Sequence, residues 1–191
     1  MNLLNNHRLV EILRLLASIL VCQLTGFISS LFASPSIPTW YADLQKPSFA
    51  PPNWVFAPVW VSLYILMGVA LYLVWRRAGE ARVRPAVAAF IVQLALNALW
   101  SPAFFGLQSP LAGLIVIVPL WLAILATILS FHKVSKGAAL LLVPYMLWVG
   151  FAVVLNFDFL VLNTIDQDRP KGNKIGVGPG MRLHVGIFSI E

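Results

Sequence analysis

Charged side chains are scarce in this sequence. Of 191 residues, 13 are Lys or Arg and 7 are Asp or Glu, so only 10% of the chain is charged, against roughly 25% in an ordinary soluble domain. Hydrophobic residues make up 60% of the chain, and the mean hydropathy is +0.86. A soluble domain of this length has too little interior to bury so much apolar surface. The bases stand in short clusters beside apolar runs rather than in a continuous patch, so nucleic acid is not expected as a partner.

Residues that carry metal or covalent chemistry are also few. The chain has one cysteine, Cys22, inside an apolar run, and three histidines, His7, His132 and His184, none with a second histidine four residues away. A metal site or an axial haem ligand is therefore not expected. The sequence shows no Gly-rich phosphate loop and no Ser/His/Asp or Cys/His set. We expect no resident cofactor.

What the sequence has in abundance is long uncharged runs. Each is 18 to 23 residues long, and together they cover 15–32, 54–75, 85–107, 111–131 and 137–157. A helix needs about 20 residues to cross the hydrocarbon core of a bilayer. The first run, with its basic flank, also has the layout of a signal peptide, but it is longer than the usual apolar region of one. The sequence therefore predicts an all-α membrane protein, a bundle of five transmembrane helices.

The positions of the bases predict the orientation of the bundle. With five helices, the N-terminus, the 76–84 loop and the Lys133–Lys136 loop share one face, and this face holds eight Lys and Arg residues. The short loops on the other face hold only Lys46. The positive-inside rule places the N-terminus and the 76–84 loop on the inner, cytoplasmic face and the 34–53 loop on the opposite face.

Two segments outside the helices differ in character. The 34–53 loop contains Pro47, Pro51 and Pro52, which stiffen the backbone, so we expect a structured loop that folds over one end of the bundle. Asn53 is a plausible N-cap for the second helix. Residues 164–191 are polar and Gly-rich, and we expect a disordered tail. The domain division is thus a transmembrane domain at 1–163 and a tail at 164–191.

Three helices carry a stripe of aromatic and amide side chains at helical spacing. The stripes are Trp60, Tyr64 and Met67 on the second helix, Gln93, Asn97, Trp100 and Phe104 on the third, and Trp148, Ala152 and Asn156 on the fifth. An amide that faces lipid is costly, so the amides should face the bundle interior. Such stripes suit a pocket for a large, flat, mostly apolar ligand. They also suit plain helix–helix packing, and the residues alone leave both readings open.

Several blocks of sequence resemble the tryptophan-rich sensory protein, or translocator protein, family, which includes the peripheral benzodiazepine receptor. The resemblance runs through Trp40-Tyr41, Leu44, Lys46-Pro47-Ser48, Pro51-Pro52-Asn53-Trp54-Val55, Pro58-Val59-Trp60, Leu63-Tyr64, Met67-Gly68, Gln93-Leu94, Leu96-Asn97, Trp100-Ser101-Pro102, Phe104-Phe105-Gly106, Pro144-Tyr145, Trp148, Phe151-Ala152 and Leu155-Asn156. These blocks keep the order and spacing of the family over roughly residues 10 to 163. No single block identifies the family, but the whole set of blocks in this order and spacing is specific to it.

The resemblance implies a ligand site and a function. Similar proteins bind porphyrins such as protoporphyrin IX and haem, sterols and synthetic isoquinolines in a cavity below the first loop. The residues that match this cavity are Trp54, Trp60, Tyr64, Asn97, Trp100, Trp148 and Ala152. Trp60 and Trp148 match the pair linked in some members to light-dependent porphyrin breakdown. The family also implies a homodimer, and the small residues Ala86, Ala89 and Ala95 would allow close packing of the third helix.

One departure from the family pattern concerns sterols. Animal members carry a sterol-recognition motif at the end of the fifth helix, with a Tyr followed by a base, whereas here Phe157 and Asp158 follow Asn156. A formal match at Val69, Tyr72 and Arg76 is of a kind that often arises by accident. Porphyrin is therefore the favoured ligand. The rival hypothesis is a membrane scaffold or transporter accessory protein in which ligand binding is incidental.

Overall fold

The computed structural model describes residues 2–165 of the chain, and the side-chain surroundings of residues 7–164. The described part is helical and contains no strand. The predicted tail at 164–191 lies outside the described residues apart from its first two positions, which belong to the last helix.

Over residues 2–165, seven α-helices, one 3₁₀ turn and one π-helical turn follow one another. They are α1 (Asn2–Ser36), α2 (Trp40–Asp43), the 3₁₀ turn (Asn53–Val55), α3 (Phe56–Trp75), α4 (Val83–Ser101), the π turn (Pro102–Gly106), α5 (Pro110–His132), α6 (Lys136–Leu141) and α7 (Val143–Ile165). Within the described residues, five helical units are long and apolar enough to cross a membrane: His7–Ser36, Asn53–Trp75, Val83–Gly106, Pro110–His132 and Lys136–Thr164. The prediction of five transmembrane helices is confirmed, and α1 is longer than the uncharged run alone indicated.

Proline and serine set several helix boundaries. Pro110 occupies the first turn of α5, where a missing backbone N–H costs nothing, and the Ser109 hydroxyl accepts a hydrogen bond from the Ala112 N–H at 3.2 Å. Asn53 was expected to cap the second helix, but it begins the 3₁₀ turn, and Val55 occupies the N-cap position of α3. Pro102 opens the π turn because it has no N–H to continue the α-helical ladder.

The bundle core lies between α3, α4, α5 and α7. Met67, Ile124 and Tyr145 are fully buried, and the rings of Phe90 and Phe131 stack with centroids 5.7 Å apart. α1 packs on the side of this core, against α3. Gly68 permits that approach, since a Cβ at this position would lie 2.5 Å from the Cα of Ile19. Large apolar side chains are exposed on all five membrane-spanning helices, as lipid contact requires.

A charged cluster ties α1 to α3 at the end of the bundle that carries the 76–84 loop. The Glu11 carboxylate accepts from the Tyr72 hydroxyl at 3.0 Å and pairs with Arg76 at 3.1 Å and with Arg14 at 3.2 Å. Tyr72 and Arg76, two residues of the formal sterol motif, therefore make contacts within the bundle.

The alanines proposed for close packing of the third predicted helix are not equivalent. Ala86 is fully buried in the core of the chain itself, so it cannot also face a second copy. Ala89 is half-buried and Ala95 is exposed on α4. Of the three, only Ala89 and Ala95 can contribute to a dimer contact.

Candidate functional site

A cavity of about 580 Å³ lies between α1, α3, α4 and α7, at the end of the bundle near α2. Its volume falls within the roughly 300–1,000 Å³ of typical small-molecule sites. The wall from α3, α4, the π turn and α7 is mainly aromatic and amide, with Phe56, Trp60, Tyr64, Asn97, Trp100, Phe104, Phe105, Trp148, Ala152, Leu155, Asn156 and Phe159. The wall from α1 consists mainly of small residues.

Six of the seven residues predicted for the site line this cavity. They are Trp60, Tyr64, Asn97, Trp100, Trp148 and Ala152. Trp54 does not line it: it lies in the 3₁₀ turn before α3 and is 74% exposed. Its neighbours Asn53 and Phe56 line the cavity instead, because the tighter 3₁₀ turn changes which side chains face inward. An exposed indole at the end of a transmembrane helix is typical of the membrane interface.

The aromatic rings of the wall support one another. Trp60 stacks on Tyr64 with centroids 5.5 Å apart and meets Tyr145 edge-on at 6.3 Å. Across the cavity, Trp148 meets Phe56 edge-on at 5.9 Å. Such contacts add to the free energy of apolar burial and hold ring orientations. The cavity therefore presents several ring faces fixed by their neighbours.

A chain of buried hydrogen bonds begins at the cavity wall and runs into the core. The Tyr64 hydroxyl donates to Asn97 Oδ1 at 2.6 Å, Asn97 Nδ2 donates to the Tyr145 hydroxyl at 2.9 Å, and that hydroxyl donates to Gln93 Oε1 at 3.0 Å. Gln93 and Asn97 are 1% and 4% exposed. The prediction that the amides face the interior is confirmed for both. Among the described side chains, buried Ser29 Oγ on the cavity wall and Gln93 Nε2 have no hydrogen-bond partner.

Asn156 fixes a second part of the wall. It is 2% exposed, its Oδ1 accepts from Trp100 Nε1 at 3.3 Å, and its Nδ2 donates to the Pro110 carbonyl at 2.7 Å. A side chain at Gly113 would collide with it, since a Cβ there would lie 2.6 Å from Asn156 Oδ1. The amide thus links α4, α5 and α7 and sets the position of the Trp100 indole.

The segment between α1 and α3 closes one end of the cavity, as the sequence predicts. Tyr41 of α2 is buried against Phe104, Phe105 and Phe159, with centroid distances of 6.4, 5.7 and 5.3 Å. Burial raises the pKa of the Tyr41 hydroxyl above its ordinary value, so the group is neutral.

Two hydrogen bonds fasten the same segment to α7. Asn163 Oδ1 accepts from the Gln45 N–H at 2.9 Å, and Asn163 Nδ2 donates to the Gln45 carbonyl at 3.1 Å. One side chain of α7 thereby pairs with both backbone groups of a loop residue. The segment is held over the cavity by this pair and by the buried Tyr41 ring.

The contribution of α1 to the cavity was missed from the sequence. Gly26, Ser29, Ser30, Ala33 and Ser34 all line it. These small residues recur at three- and four-residue intervals, which is the spacing of one helix face. Small residues occur on lipid-facing and buried faces alike, so this spacing alone does not identify a cavity wall. Their small size leaves the space that the rings of the other wall enclose.

The residues of the cavity determine which chemistry it can support. Within the part of the chain that the structure describes, no group of three or more His, Cys, Asp or Glu residues could hold a metal ion. The described residues that line the cavity include no histidine, so they would hold a haem by ring contacts and hydrogen bonds rather than by a histidine–iron bond. These residues offer a ligand ring faces, amides and hydroxyl groups.

Comparison with known proteins agrees with this architecture. The model of the TspO/MBR family matches residues 18–162. The chain is 48% identical to the tryptophan-rich protein TspO of Archaeoglobus fulgidus over 156 residues, which cover 81% of this chain and 99% of that protein. It is 42% identical to the translocator protein of Homo sapiens over 134 residues, which cover 69% of this chain and 79% of that protein. This chain is therefore a multi-pass integral membrane protein that belongs to the TspO/MBR family.

Proposed function

We propose that this protein is a membrane receptor and sensor that binds tetrapyrroles, such as protoporphyrin IX or haem, in the cavity between α1, α3, α4 and α7. Its role would be to sequester, transport or degrade them, and sterols and isoquinolines are further candidate ligands. The observation that carries the proposal is a cavity of about 580 Å³ lined by aromatic rings and a few amides.

The physical chemistry of the wall favours a flat aromatic ligand. Burial of apolar surface against Trp60, Trp100 and Trp148 supplies most of the affinity, and stacking on an indole adds about 0.5–1.5 kcal/mol per ring pair. Tyr64 and Ser29 offer hydroxyl groups to the polar substituents of such a ligand. The name of one relative, the tryptophan-rich sensory protein of Cereibacter sphaeroides, which is 40% identical over 124 residues, supports the sensor part of the proposal.

Paired tryptophan variants test this assignment. Trp148→Leu removes a ring from the cavity wall, and Trp121→Leu removes a half-buried indole on α5 that does not line the cavity. Titration of protoporphyrin IX, followed by its absorption spectrum, should show about fivefold weaker binding for Trp148→Leu, since one lost stacking contact is worth about 1 kcal/mol. Trp121→Leu should bind as the wild type does. Equal affinity of both variants with the wild type would refute the proposed site.

A second candidate function is light-dependent porphyrin breakdown. It is favoured by one observation: the indoles of Trp60 and Trp148 line the same cavity, so a bound macrocycle would lie near two oxidisable rings. In such a reaction the illuminated porphyrin is oxidised and dioxygen is reduced. Trp60→Phe and Trp148→Phe should retain most of the binding and lose the illumination-dependent change in absorption. If both variants convert the porphyrin at the wild-type rate, the reaction is photochemistry in free solution and the two indoles take no part in it.

The rival function, a scaffold or transporter accessory, predicts a different response. If the rings only pack helices together, a porphyrin will not raise the melting temperature, whereas a cavity ligand stabilises the folded state by RT ln(1 + [L]/Kd). A ligand panel of porphyrin, sterol and isoquinoline therefore separates the two functions and ranks the ligands in one experiment.

We also propose a homodimer, and an orientation in which the 76–84 loop is cytoplasmic and the 34–53 loop lies on the opposite face. The excess of bases at one end supports the orientation. The exposed Ala95 supports a helix contact through α4.

A further inference from the structure

A second apolar groove lies at the other end of the bundle, away from the cavity. It has a volume of about 570 Å³ and is formed by Val21 of α1, the last turns of α3 and the first half of α4. None of its lining residues belongs to the cavity. Of the eleven described residues that line it, ten are apolar and the other is Arg84. The described part of the groove therefore combines an apolar surface with the cation of Arg84.

The floor and the mouth of the groove differ. Val83 and Phe90 form a floor that is 4% and 1% exposed, whereas Val21, Trp75 and Ile91 are 49%, 40% and 59% exposed at the mouth. Because all three helices cross the membrane, this open side faces the bilayer. A hydrocarbon chain is the apolar occupant that a bilayer supplies. The Trp75 indole, at the end of α3, lies where amphipathic rings meet lipid headgroups.

Arg84 differs from the other arginines of its loop. Arg76 pairs with Glu11 at 3.1 Å, Arg77 donates to a backbone carbonyl and lies 3.9 Å from an acid, and Arg82 donates to a backbone carbonyl at 3.5 Å. Arg84 is exposed and makes no hydrogen bond or ion pair within residues 7–164. A guanidinium presents a planar fork of donors that fits a phosphate group. The loop is net positive, which favours a headgroup of net negative charge over a zwitterionic one.

We propose that this groove binds one acyl chain of an anionic phospholipid whose phosphate is held by Arg84. The chain lies along Leu71, Val87 and Ile91, and the glycerol region meets the Trp75 indole. The site is independent of the ligand cavity, so it does not depend on the function proposed above.

Brominated lipids provide a direct test, because bromine on an acyl chain quenches a nearby indole. The full-length protein is titrated with dibrominated phosphatidylglycerol or phosphatidylcholine in mixed micelles, and the signal of Trp75 is obtained by subtracting that of Trp75→Phe. Phosphatidylglycerol should quench Trp75 at roughly fivefold lower mole fraction than phosphatidylcholine, since one base near the membrane surface contributes about that factor. Equal quenching by both lipids would show a non-specific lipid layer and overturn the proposal.

Two matched pairs of variants locate the site. Arg84→Gln should abolish the preference for phosphatidylglycerol while Arg82→Gln retains it, and an equal loss in both would show diffuse surface charge and refute the site. Ala88→Leu, which fills the groove, should weaken quenching, while Ala126→Leu, at an exposed position of α5 outside the groove, should not. If neither lipid quenches Trp75 and Ala88→Cys forms a disulfide between two copies, the occupant of the groove is a second protein chain and the proposal is wrong.

Discussion

Replacement of Asn97 by leucine tests the link between the buried hydrogen bonds and the ligand cavity. Asn97 is 4% exposed and makes two side-chain bonds, from the Tyr64 hydroxyl at 2.6 Å and to the Tyr145 hydroxyl at 2.9 Å. In Asn97→Leu the Tyr145 hydroxyl still donates to Gln93. Only the Tyr64 hydroxyl loses its acceptor. The variant therefore breaks two bonds and leaves one donor unpaired at the cavity wall.

The expected magnitude follows from these contacts. Interhelical hydrogen bonds in membrane proteins contribute about 0.6 kcal/mol each on average, and a buried unpaired donor costs about 1–3 kcal/mol. Tyr64 borders the cavity, so solvent or ligand can reach its hydroxyl and the lower end of that range applies. Asn97→Leu should destabilise the protein by about 1–2 kcal/mol, or roughly 2–8 °C in melting temperature for a chain of this length.

Ligand-dependent melting supplies the assay. With protoporphyrin IX at 100 times its Kd, the wild type gains about 2.7 kcal/mol of stability. If loss of the Tyr64–Asn97 bond weakens binding tenfold, the same porphyrin concentration gives about 1.4 kcal/mol, half the wild-type shift. The control is Thr127→Val, which removes a fully buried hydroxyl bonded at 2.7 Å to a carbonyl of its own helix, outside the cavity. A porphyrin shift in Asn97→Leu equal to that of the wild type would refute the role of Asn97 in the cavity.

Two further predictions concern the segment that closes the cavity and the topology. Asn163→Ala removes both hydrogen bonds to the closing segment and should speed porphyrin dissociation about tenfold, measured by stopped-flow transfer to a scavenger; an unchanged rate would show that the segment does not control escape. Ser48→Cys and Gly137→Cys place thiols in exposed positions at opposite ends of the bundle, whereas the native Cys22 is fully buried. A membrane-impermeant maleimide added to sealed vesicles should label only one of the two variants, and labelling of both would contradict the five-span topology.

The transmembrane helices could be predicted from the sequence because a bilayer imposes a strict requirement. Every lipid-facing backbone must satisfy its own hydrogen bonds, so an uncharged run of about 20 residues has few alternatives to a helix. The same reasoning located the amides: Gln93 and Asn97 are too costly to face lipid and are indeed buried. For α3, α4 and α7, helical period and polarity together were sufficient to predict which face of each helix points into the bundle.

The structure differs from the sequence-based expectation where the helical period is broken or where polarity gives no signal. Trp54 precedes α3 in a 3₁₀ turn, so its direction does not follow the period of the helix. Phe104 and Phe105 both line the cavity and lie in the π turn begun by Pro102, where the regular α-helical period ends. The wall from α1 was missed because glycine, alanine and serine occur on lipid-facing and buried surfaces alike.

The contacts between α1 and the bundle explain why the cavity wall from α1 has a fixed position, although that wall contains few strongly polar side chains. Only 17% of its most apolar window is buried, against 28% to 39% for the other four spans. Apolar burial contributes little to helix association in lipid, because the alternative surroundings are equally apolar. The position of α1 must therefore come from close packing at Gly68 and from polar contacts along its length: the Glu11 cluster, Gln23 donating to the Val61 carbonyl at 3.0 Å, and Ser36 donating to the Phe105 carbonyl at 3.1 Å. These contacts join α1 to α3 and to the π turn, two of the elements that carry rings of the cavity, so they help to set the distance between its small-residue wall and its aromatic wall.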